Sequence, residues 1–556
     1  MKVNIKDSVS SFNIKRLANL FPSNLSFNRR LLQKASREAW EFKAPKASLN
    51  SDGFGRYIVE IVTPMGTLSF IAFSQYLEPK NRTDRVIAVA WDAVFALCHG
   101  QVNDEFCNEL QSNLIKQESG RYSSRILCIS RANKSVRMFE KVIDALVKRD
   151  QPCNDDIIKI GYLYRTTAVY GNGKFGMADF KFLFKNTSLD FPFAAQMLTV
   201  YLVREFSYYQ VNHIAKNKSK MAIGLSEKSK RNLGIGNSTG LGMAPFLIKH
   251  SKPVGCWIAA RENSLKEICQ KETVSDGKWE EFLKGLKMAV VFFYQSHTNN
   301  ELQKKTNIIT KIELESLIEK LRVPIDESKS WESIFEELKV MNVNFQTQEV
   351  VISLLLELYP KTCDSFFVSL NQDEDFQLIP QMSLIELKAL IKSHYSWVNQ
   401  YDFNKESDDY YFWYYSENKE EPRLGIKTKD AGAENQMPIG IAKEISRCAN
   451  FLEKSIEQKI DNVAAFLGNQ PQMRSIVKRI QYMGQDANVS EIHINALGKD
   501  VLPTDLLRCK LALLGAMKFD PKSDKWVKVT FFQGTPLSSE LPKLKHGVEH
   551  LFPIIK

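Results

Sequence analysis

Helical periodicity in the middle of the chain is the feature that most limits its fold. Stretches with apolar residues at every third or fourth position run through residues 191–217, 278–295, 310–322, 330–341 and 347–359. That spacing forms one apolar stripe along a helix, which must pack against another element. Polar residues separate the stretches. The middle of the chain is therefore expected to form packed helices.

β-rich runs lie on either side of this helical region. Residues 55–74 hold two such runs around Pro64 and Gly66, which predicts a hairpin. Near the other end, residues 503–519 have a helical pattern and residues 525–534 a strand pattern. We therefore expect a predominantly α fold with smaller β elements, of the α+β class. It would have a large helical body and short strand-containing regions toward the N and C termini.

Two further helices are predicted in the first third of the chain. Residues 85–100 are apolar, contain several alanines and end in glycine, which favours a buried helix over a strand. Residues 130–150 repeat apolar side chains at helical spacing, and Ser130 could cap the first turn.

The length of 556 residues predicts several domains, because about 100 to 200 residues per domain is usual. We predict an N-terminal arm over 1–54, an α+β core with the candidate site over 55–298, and a helical region over 299–400. A long connection over 401–436 mixes charges, aromatics, Gly and Pro, and a C-terminal α+β region follows over 437–556.

Charge and cysteine content narrow the class of protein. The 75 basic and 64 acidic residues give a net charge of +11, which fits a nucleic-acid surface or a pocket for anionic small molecules. The nine cysteines are scattered without a CxxC pair, which indicates a reduced, cytoplasmic protein. No signal peptide, membrane-spanning run or metal-ligand spacing is found in the sequence, so neither a membrane nor a metal is predicted. The sequence contains no motif that identifies a cofactor, so the cofactor is unknown.

The first candidate site is the glycine-rich stretch "GIGNSTGLG". It matches neither the Rossmann nor the Walker pattern. Its glycines would let backbone N–H groups converge on an anion, and the polar side chains between them could donate hydrogen bonds. The residues predicted to bind are Gly236, Asn237, Ser238, Thr239 and Gly240. Alternatively, the glycines only end one helix and start another, and the lysines upstream are solvated.

The second candidate is "RTTAVYGNGKFG", where an Asn-Gly pair predicts a tight turn. Arg165, Thr166, Tyr170 and Asn172 would bind substrate. Lys174 could contact a phosphate or, if desolvated, transfer a proton with a lowered pKa. An ordinary hairpin with a solvated lysine is the alternative.

The third candidate lies at the start of the helix predicted from Ser130. Arg131, Asn133, Lys134 and Arg137 would place cations in the first turn, where the helix dipole favours acids. Such local conflicts are common at functional sites. They also occur on ordinary surfaces, and that alternative stays open.

Two carboxylates complete the candidate set. Asp92 is flanked by apolar residues and could pair with one of the cations above or face solvent. Glu417 follows six consecutive aromatic residues, where an apolar wall would raise its pKa toward that of a general base. A solvated turn beside packed aromatics is the alternative for Glu417. With Lys174, these are the predicted catalytic residues.

The sequence thus favours an enzyme that binds an anionic small substrate or cofactor carrying a phosphate or carboxylate. Transfer, elimination and isomerisation all remain open as reaction classes. The alternative is a nucleic-acid-binding protein with a basic surface interleaved with aromatics, although no zinc knuckle or RNA-recognition signature is found in the sequence. A homo-oligomer is compatible with either.

Overall fold

The computed structural model describes the following residues: 14–78, 91–114, 125–166, 186–239, 251–270, 274–322, 330–367, 378–404, 411–416, 419–425, 436–485, 503–516, 518–523, 526–544 and 552. The chain divides into two compact units. Unit 1 contains the described parts of Met1–Thr239, Val254–Asp373 and Thr504–Lys556, and unit 2 those of Gly240–Pro253 and Glu374–Pro503.

A mixed ten-stranded sheet organises unit 1. In chain order the strands of the protein are β1 Glu41–Phe42, β2 Lys46–Leu49, β3 Gly55–Thr63, β4 Gly66–Ser74, β5 Ala93–His99, β6 Ile126–Lys134, β7 Tyr162–Thr166, β8 Gly234–Thr239, β9 Tyr411–Ser416, β10 Lys419–Gly425, β11 Gln436–Pro438, β12 Lys518–Ser523 and β13 Trp526–Phe531. The order across the sheet is β1-β3-β4-β5-β6-β7-β8-β13-β12, with β2 paired to β3. Its pairs are antiparallel except β7 with β8.

The helices complete a mixed α+β fold. In chain order they are α1 Ile14–Leu17, α2 Phe27–Arg37, α3 Asp104–Leu114, α4 Val136–Val147, α5 Asn154–Lys159, α6 Ala194–Lys218, α7 Glu227–Asn232, α8 Ser251–Cys269, α9 Asp276–Gln295, α10 Glu301–Arg322, α11 Trp331–Val340, α12 Phe345–Leu358, α13 Pro360–Phe367, α14 Leu384–Asn399, α15 Ile439–Glu457, α16 Val463–Asn469, α17 Arg474–Gln485 and α18 Pro503–Leu514. Short 3₁₀ turns lie at Pro471–Met473 and Leu541–Lys543.

Helices cover parts of both faces of the sheet. On one face, α6 packs across β4 to β8, and its 25 residues are buried on almost every side. Eighteen of its residues are buried, so α6 lies within the core on this face. On the other face, Cys107 and Leu110 of α3 pack with Ile71 and Val94 over β4 to β6. The sheet therefore has a core on each side.

The helices predicted for the middle of the chain are confirmed. α9 packs against α10 and α12, and Trp279 stacks on Trp331 with ring centroids 5.8 Å apart. The predicted helix before the C-terminal strand is α18, and the strand itself is β13. The hairpin around Pro64 is the β3–β4 pair.

The predicted helix over 85–100 is wrong. Its described part contains β5, a strand paired on both sides and almost entirely buried. A continuous apolar run fits a buried strand as well as a buried helix, so periodicity could not separate the two.

The predicted start of the next helix is also wrong. β6 continues through Lys134, and α4 begins only at Val136, with Ser135 in the N-cap position. Arg131, Asn133 and Lys134 therefore lie on a strand, where the helix-dipole argument does not apply. The segment is a strand because its backbone pairs with β5 on one side and β7 on the other.

Strands from the first half of the chain and from its C-terminal region belong to one sheet, because β8 pairs with β13. The separate N-terminal and C-terminal strand regions are thus not confirmed. Within residues 401–436, β9 and β10 form a three-stranded antiparallel sheet with β11.

Unit 2 also holds a helical core. Leu387 and Ile391 of α14, Ile445 of α15 and Phe466 of α16 are buried together in it. Across the described helices of the protein, none combines the length and apolarity needed to cross a membrane.

Candidate anion-binding site

The three segments singled out in the sequence lie on neighbouring strands. Asn133 on β6 is opposite Arg165 on β7, and Arg165 is opposite Gly236 on β8. The row continues through Thr530 on β13 to Lys518 on β12. Residues directly opposite each other share one face of a sheet. Side chains that are distant in sequence therefore line up on a single face.

A second row lies two residues further along these strands and on the same face. It contains Arg131 on β6, Lys528 on β13 and Asp520 on β12, and Lys528 is opposite Asp520. We call the set Arg131, Arg165 and Lys528 the basic face. Its cations outnumber the one acidic residue within these two rows.

Lys528 lies near Arg165 and has a lowered pKa. Its Nζ lies 5.2 Å from the ring centroid of Tyr162 and donates a hydrogen bond to the carbonyl oxygen of Lys159 at 3.3 Å. Burial lowers the pKa of Lys528 to about 8, with Lys522 and Arg165 adding to the effect and Asp520 opposing it. Desolvation and like charges both disfavour the ammonium form. An anion placed here would favour that form again.

Two buried polar atoms in the first row lack a hydrogen-bond partner among the described residues. They are Nδ2 of Asn133 and Oγ1 of Thr530, in residues that are 6% and 0% exposed. The other end of the Asn133 amide is used, since Oδ1 accepts a hydrogen bond from the backbone N of Asp92 at 3.1 Å. Buried polar atoms are normally paired, because leaving one unpaired costs about 1 to 3 kcal/mol. These two atoms are therefore available to form hydrogen bonds with a ligand.

No family model, curated protein or solved structure matched this chain. The functional assignment therefore depends on the geometry of the site. Among the residues that the structure describes, no group of three or more His, Cys, Asp or Glu side chains could hold a metal ion.

Some predicted binding residues lie away from the basic face. Lys134 and Thr166 are opposite Tyr164 and Ala132, on the face covered by α6. The Nζ of Lys134 lies 4.7 Å from the ring centroid of Phe139, and the Thr166 hydroxyl is hydrogen-bonded to that of Ser130. Arg137 is exposed in the first turn of α4. The sheet therefore separates Lys134 and Thr166 from Arg131, Asn133 and Arg165.

Asp92 is buried, with 1% of its surface exposed. Its Oδ2 accepts a hydrogen bond from the backbone N of Lys134 at 3.0 Å, and its own N donates to Asn133. The carboxylate thus connects the start of β5 to the end of β6. Its proton-transfer role stays a prediction.

Several predicted residues lie outside the described part of the chain. These are Tyr170, Asn172, Lys174, Gly240 and Glu417. The backbone of Asn237, Ser238 and Thr239 belongs to β8, opposite Val529, Lys528 and Val527 respectively. The first half of the predicted glycine loop is thus a central strand.

Close packing explains why two positions of β8, 234 and 236, are occupied by glycine. A Cβ on Gly236 would lie 2.5 Å from Cε1 of Tyr162, and one on Gly234 would overlap the carbonyl oxygen of Phe531. Glycine allows the neighbouring chain to approach where any other side chain would collide. At these positions the expectation of a loop is wrong, because pairing with β7 and β13 makes the segment a strand.

Lys518, Lys528 and Thr530 were not predicted from the sequence. They reach these two rows only through the β8–β13 and β12–β13 pairs, which involve segments far apart in the chain. One local signal was present: Lys528 interrupts the β-branched run "VKVT". A lysine within such a strand could have been examined as a site residue.

Proposed function

We propose that the protein is an enzyme that binds a small anionic substrate or cofactor on the basic face. The ligand carries a phosphate or carboxylate, which contacts Asn133, Arg165 and Lys528. The observation that carries the proposal is the row Asn133–Arg165–Gly236–Thr530. Two of its buried polar atoms lack a hydrogen-bond partner among the described residues, and two cations, Arg165 in the row and Lys528 in the next, lie on the same face.

Charge supports an anionic ligand over a neutral one. The pKa of Lys528 is lowered to about 8 by burial and by neighbouring cations that include Arg165. A bound phosphate or carboxylate would offset that repulsion and accept charge-assisted hydrogen bonds, which are about twice as strong as neutral ones.

Burial favours a small ligand over a nucleic acid. Asn133 and Thr530 are buried, and Arg165 and Lys528 are only partly exposed. A polyanion track needs exposed cations along an extended surface. A site lined by buried donors fits a compact anionic group better.

Lys528 is our candidate for proton transfer. A lysine whose pKa is lowered to about 8 gives up its proton more readily than an ordinary lysine, so the Lys528 ammonium beside a bound anion can act as a general acid. The proposal includes a cytoplasmic location, supported by the absence of disulfides among the cysteines whose side chains are described.

Thermal unfolding with added inorganic phosphate, sulfate or acetate at constant ionic strength tests the binding. Ligand at ~100 times its dissociation constant should stabilise the wild type by about 2.7 kcal/mol. Arg165→Gln should weaken binding about ten- to hundredfold, since one charge-assisted hydrogen bond is lost. The matched control is Arg322→Gln, an exposed arginine at the end of α10.

Equal affinity in Arg165→Gln and wild type would reject the basic face as the site. Binding to random DNA or RNA with a log–log salt slope of several units, lost in Arg165→Gln, would instead support a nucleic-acid function. Once a substrate is found, Lys528→Arg should keep its affinity but lose turnover, because arginine stays protonated.

A further inference from the structure

A separate pocket of about 60 Å³ lies in unit 1, at the β12 edge of the sheet. Phe21, Phe292 and Phe293 form apolar walls, and Arg508 and Lys518 are the cations that line it. None of the described lining residues is acidic. One water needs about 10 to 15 Å³ on the same measure, so this volume suits a small polyatomic group.

Arg508 of α18 is buried, and no described residue acts as its counter-ion. It is 5% exposed, and its Nε donates a hydrogen bond to the carbonyl oxygen of Leu20 at 2.8 Å. The guanidinium also lies over two rings, 4.5 Å from the centroid of Phe519 and 5.2 Å from that of Phe21. Among the described residues, no carboxylate forms an ion pair with it and no acceptor is bound by its two terminal nitrogens. Burial alone lowers the pKa of Arg508 to about 10.

Lys518, the first residue of β12, supplies the second cation. Its Nζ donates to the carbonyl oxygens of Ile158 and Lys159 at the end of α5. Burial, Lys528 and Lys522 lower the pKa of Lys518 to about 8, and Asp520 opposes the change. Asp520 itself pairs with Lys522 at 2.7 Å. Within the described part of the chain, neither Arg508 nor Lys518 thus forms an ion pair.

Buried charges are normally paired, because removing an ion from water costs several kcal/mol. A buried arginine with unoccupied donors, beside a lysine and aromatic walls, has the composition of an anion site. We propose that this pocket binds a small oxyanion, a free phosphate or a carboxylate, between Arg508 and Lys518. The aromatic walls would strengthen each charge-assisted hydrogen bond by excluding solvent.

Isothermal titration of the Arg165→Gln protein isolates this pocket, because the basic-face site is then weakened. Inorganic phosphate and acetate are titrated separately, with chloride as the control anion. We expect one anion to bind with a stoichiometry near one, phosphate if a tetrahedral group is preferred and acetate if a carboxylate is. Adding Lys518→Gln should weaken that binding about ten- to hundredfold.

Arg508→Gln should have the same effect, and Arg508→Lys should restore part of the affinity. If Arg508→Gln does not fold, the Lys518→Gln titration decides alone. Lys339→Gln, an exposed lysine of α11, is the matched control. Absence of phosphate and acetate binding, or unchanged binding in Lys518→Gln, would overturn the proposal. A loss of binding caused by Arg165→Gln concerns only the basic face, and a loss caused by Lys518→Gln or Arg508→Gln concerns only this pocket. The two proposals can therefore be rejected separately.

Discussion

The ring of Tyr162 occupies the space that a side chain on Gly236 would need: a Cβ on Gly236 would lie 2.5 Å from Cε1 of the ring. Tyr162 in turn lies beneath the ammonium of Lys528, whose Nζ is 5.2 Å from the ring centroid. The glycine therefore lets β7 and β8 pack while Tyr162 supports a cation of the proposed site.

Gly236→Ala tests whether this glycine serves packing or ligand binding. We expect a loss of roughly 1 to 3 kcal/mol in unfolding free energy, because the added methyl group displaces the Tyr162 ring. Thermal unfolding of the two proteins without ligand measures it. An unchanged melting temperature combined with lost phosphate binding would contradict the packing explanation and favour close approach of a ligand to the backbone.

Glu349→Ala should be among the most destabilising substitutions in unit 1. Glu349 and Arg261 form an ion pair of 2.6 Å with both side chains fully buried, and Arg16 also contacts the carboxylate. Removing Glu349 leaves the buried Arg261 with only the partly exposed Glu262 at 3.5 Å, and breaking a buried pair costs about 3 to 5 kcal/mol. Urea unfolding measures the loss.

The control for Glu349→Ala is Glu281→Ala, which breaks an exposed pair with Lys278. Exposed pairs contribute about 0 to 1 kcal/mol, so this variant should unfold almost like the wild type. Equal losses in the two variants would refute the role of the buried pair.

Arg204→Met should loosen β8 and β13 together. The buried Arg204 guanidinium donates to the carbonyl of Leu233, just before β8, and to those of Thr535 and Pro536, just after β13. The substitution removes the donor of the Thr535 carbonyl, at a cost of about 1 to 3 kcal/mol, and leaves the carbonyls of Leu233 and Pro536 with only the hydroxyls of Tyr208 and Tyr201. Amide hydrogen exchange should speed up in β8 and β13 but not in β3. Uniform acceleration across the sheet would count against a local role.

Affinity for sulfate should fall as pH rises through about 8. Lys518 and Lys528 have pKa values of about 8, so above that pH they lose the charge that attracts the anion. Sulfate keeps its own charge over this range, so a titration series from pH 7 to 10 reports on the protein. Lys528→Arg should make the profile shallower, because arginine remains protonated while Lys518 still loses its charge. A flat wild-type profile would contradict the assignment.

The same two lysines make the unliganded protein more stable with rising pH. Their pKa values are lowered in the folded state, so between about 8 and the ordinary value of 10.5 the unfolded chain binds more protons. Stability rises with pH wherever the unfolded state holds more protons. In wild-type protein, chemical unfolding should therefore show this contribution increasing from pH 8 to 10. Lys518→Met with Lys528→Met should remove that slope.

The sequence indicated part of the candidate site but not its form. Arg131, Asn133, Arg165 and Gly236 were selected for residue type and glycine content, and the sheet places them in adjacent rows. Lys134 was selected with them but lies on the opposite face, because successive strand residues alternate. A helix had been predicted there, and helical spacing would have kept Arg131 and Lys134 together.

Sequence alone determined the helices of the middle region, the β3–β4 hairpin and the strand at β13, because each is encoded in local periodicity or turn chemistry. Only the tertiary structure decided that residues 234–239 form a strand between β7 and β13. Only it brought Lys528 near Arg165 and left Arg508 buried with no carboxylate partner among the described residues. Pairing between distant strands and the burial of a charge depend on neighbours that a local pattern does not specify.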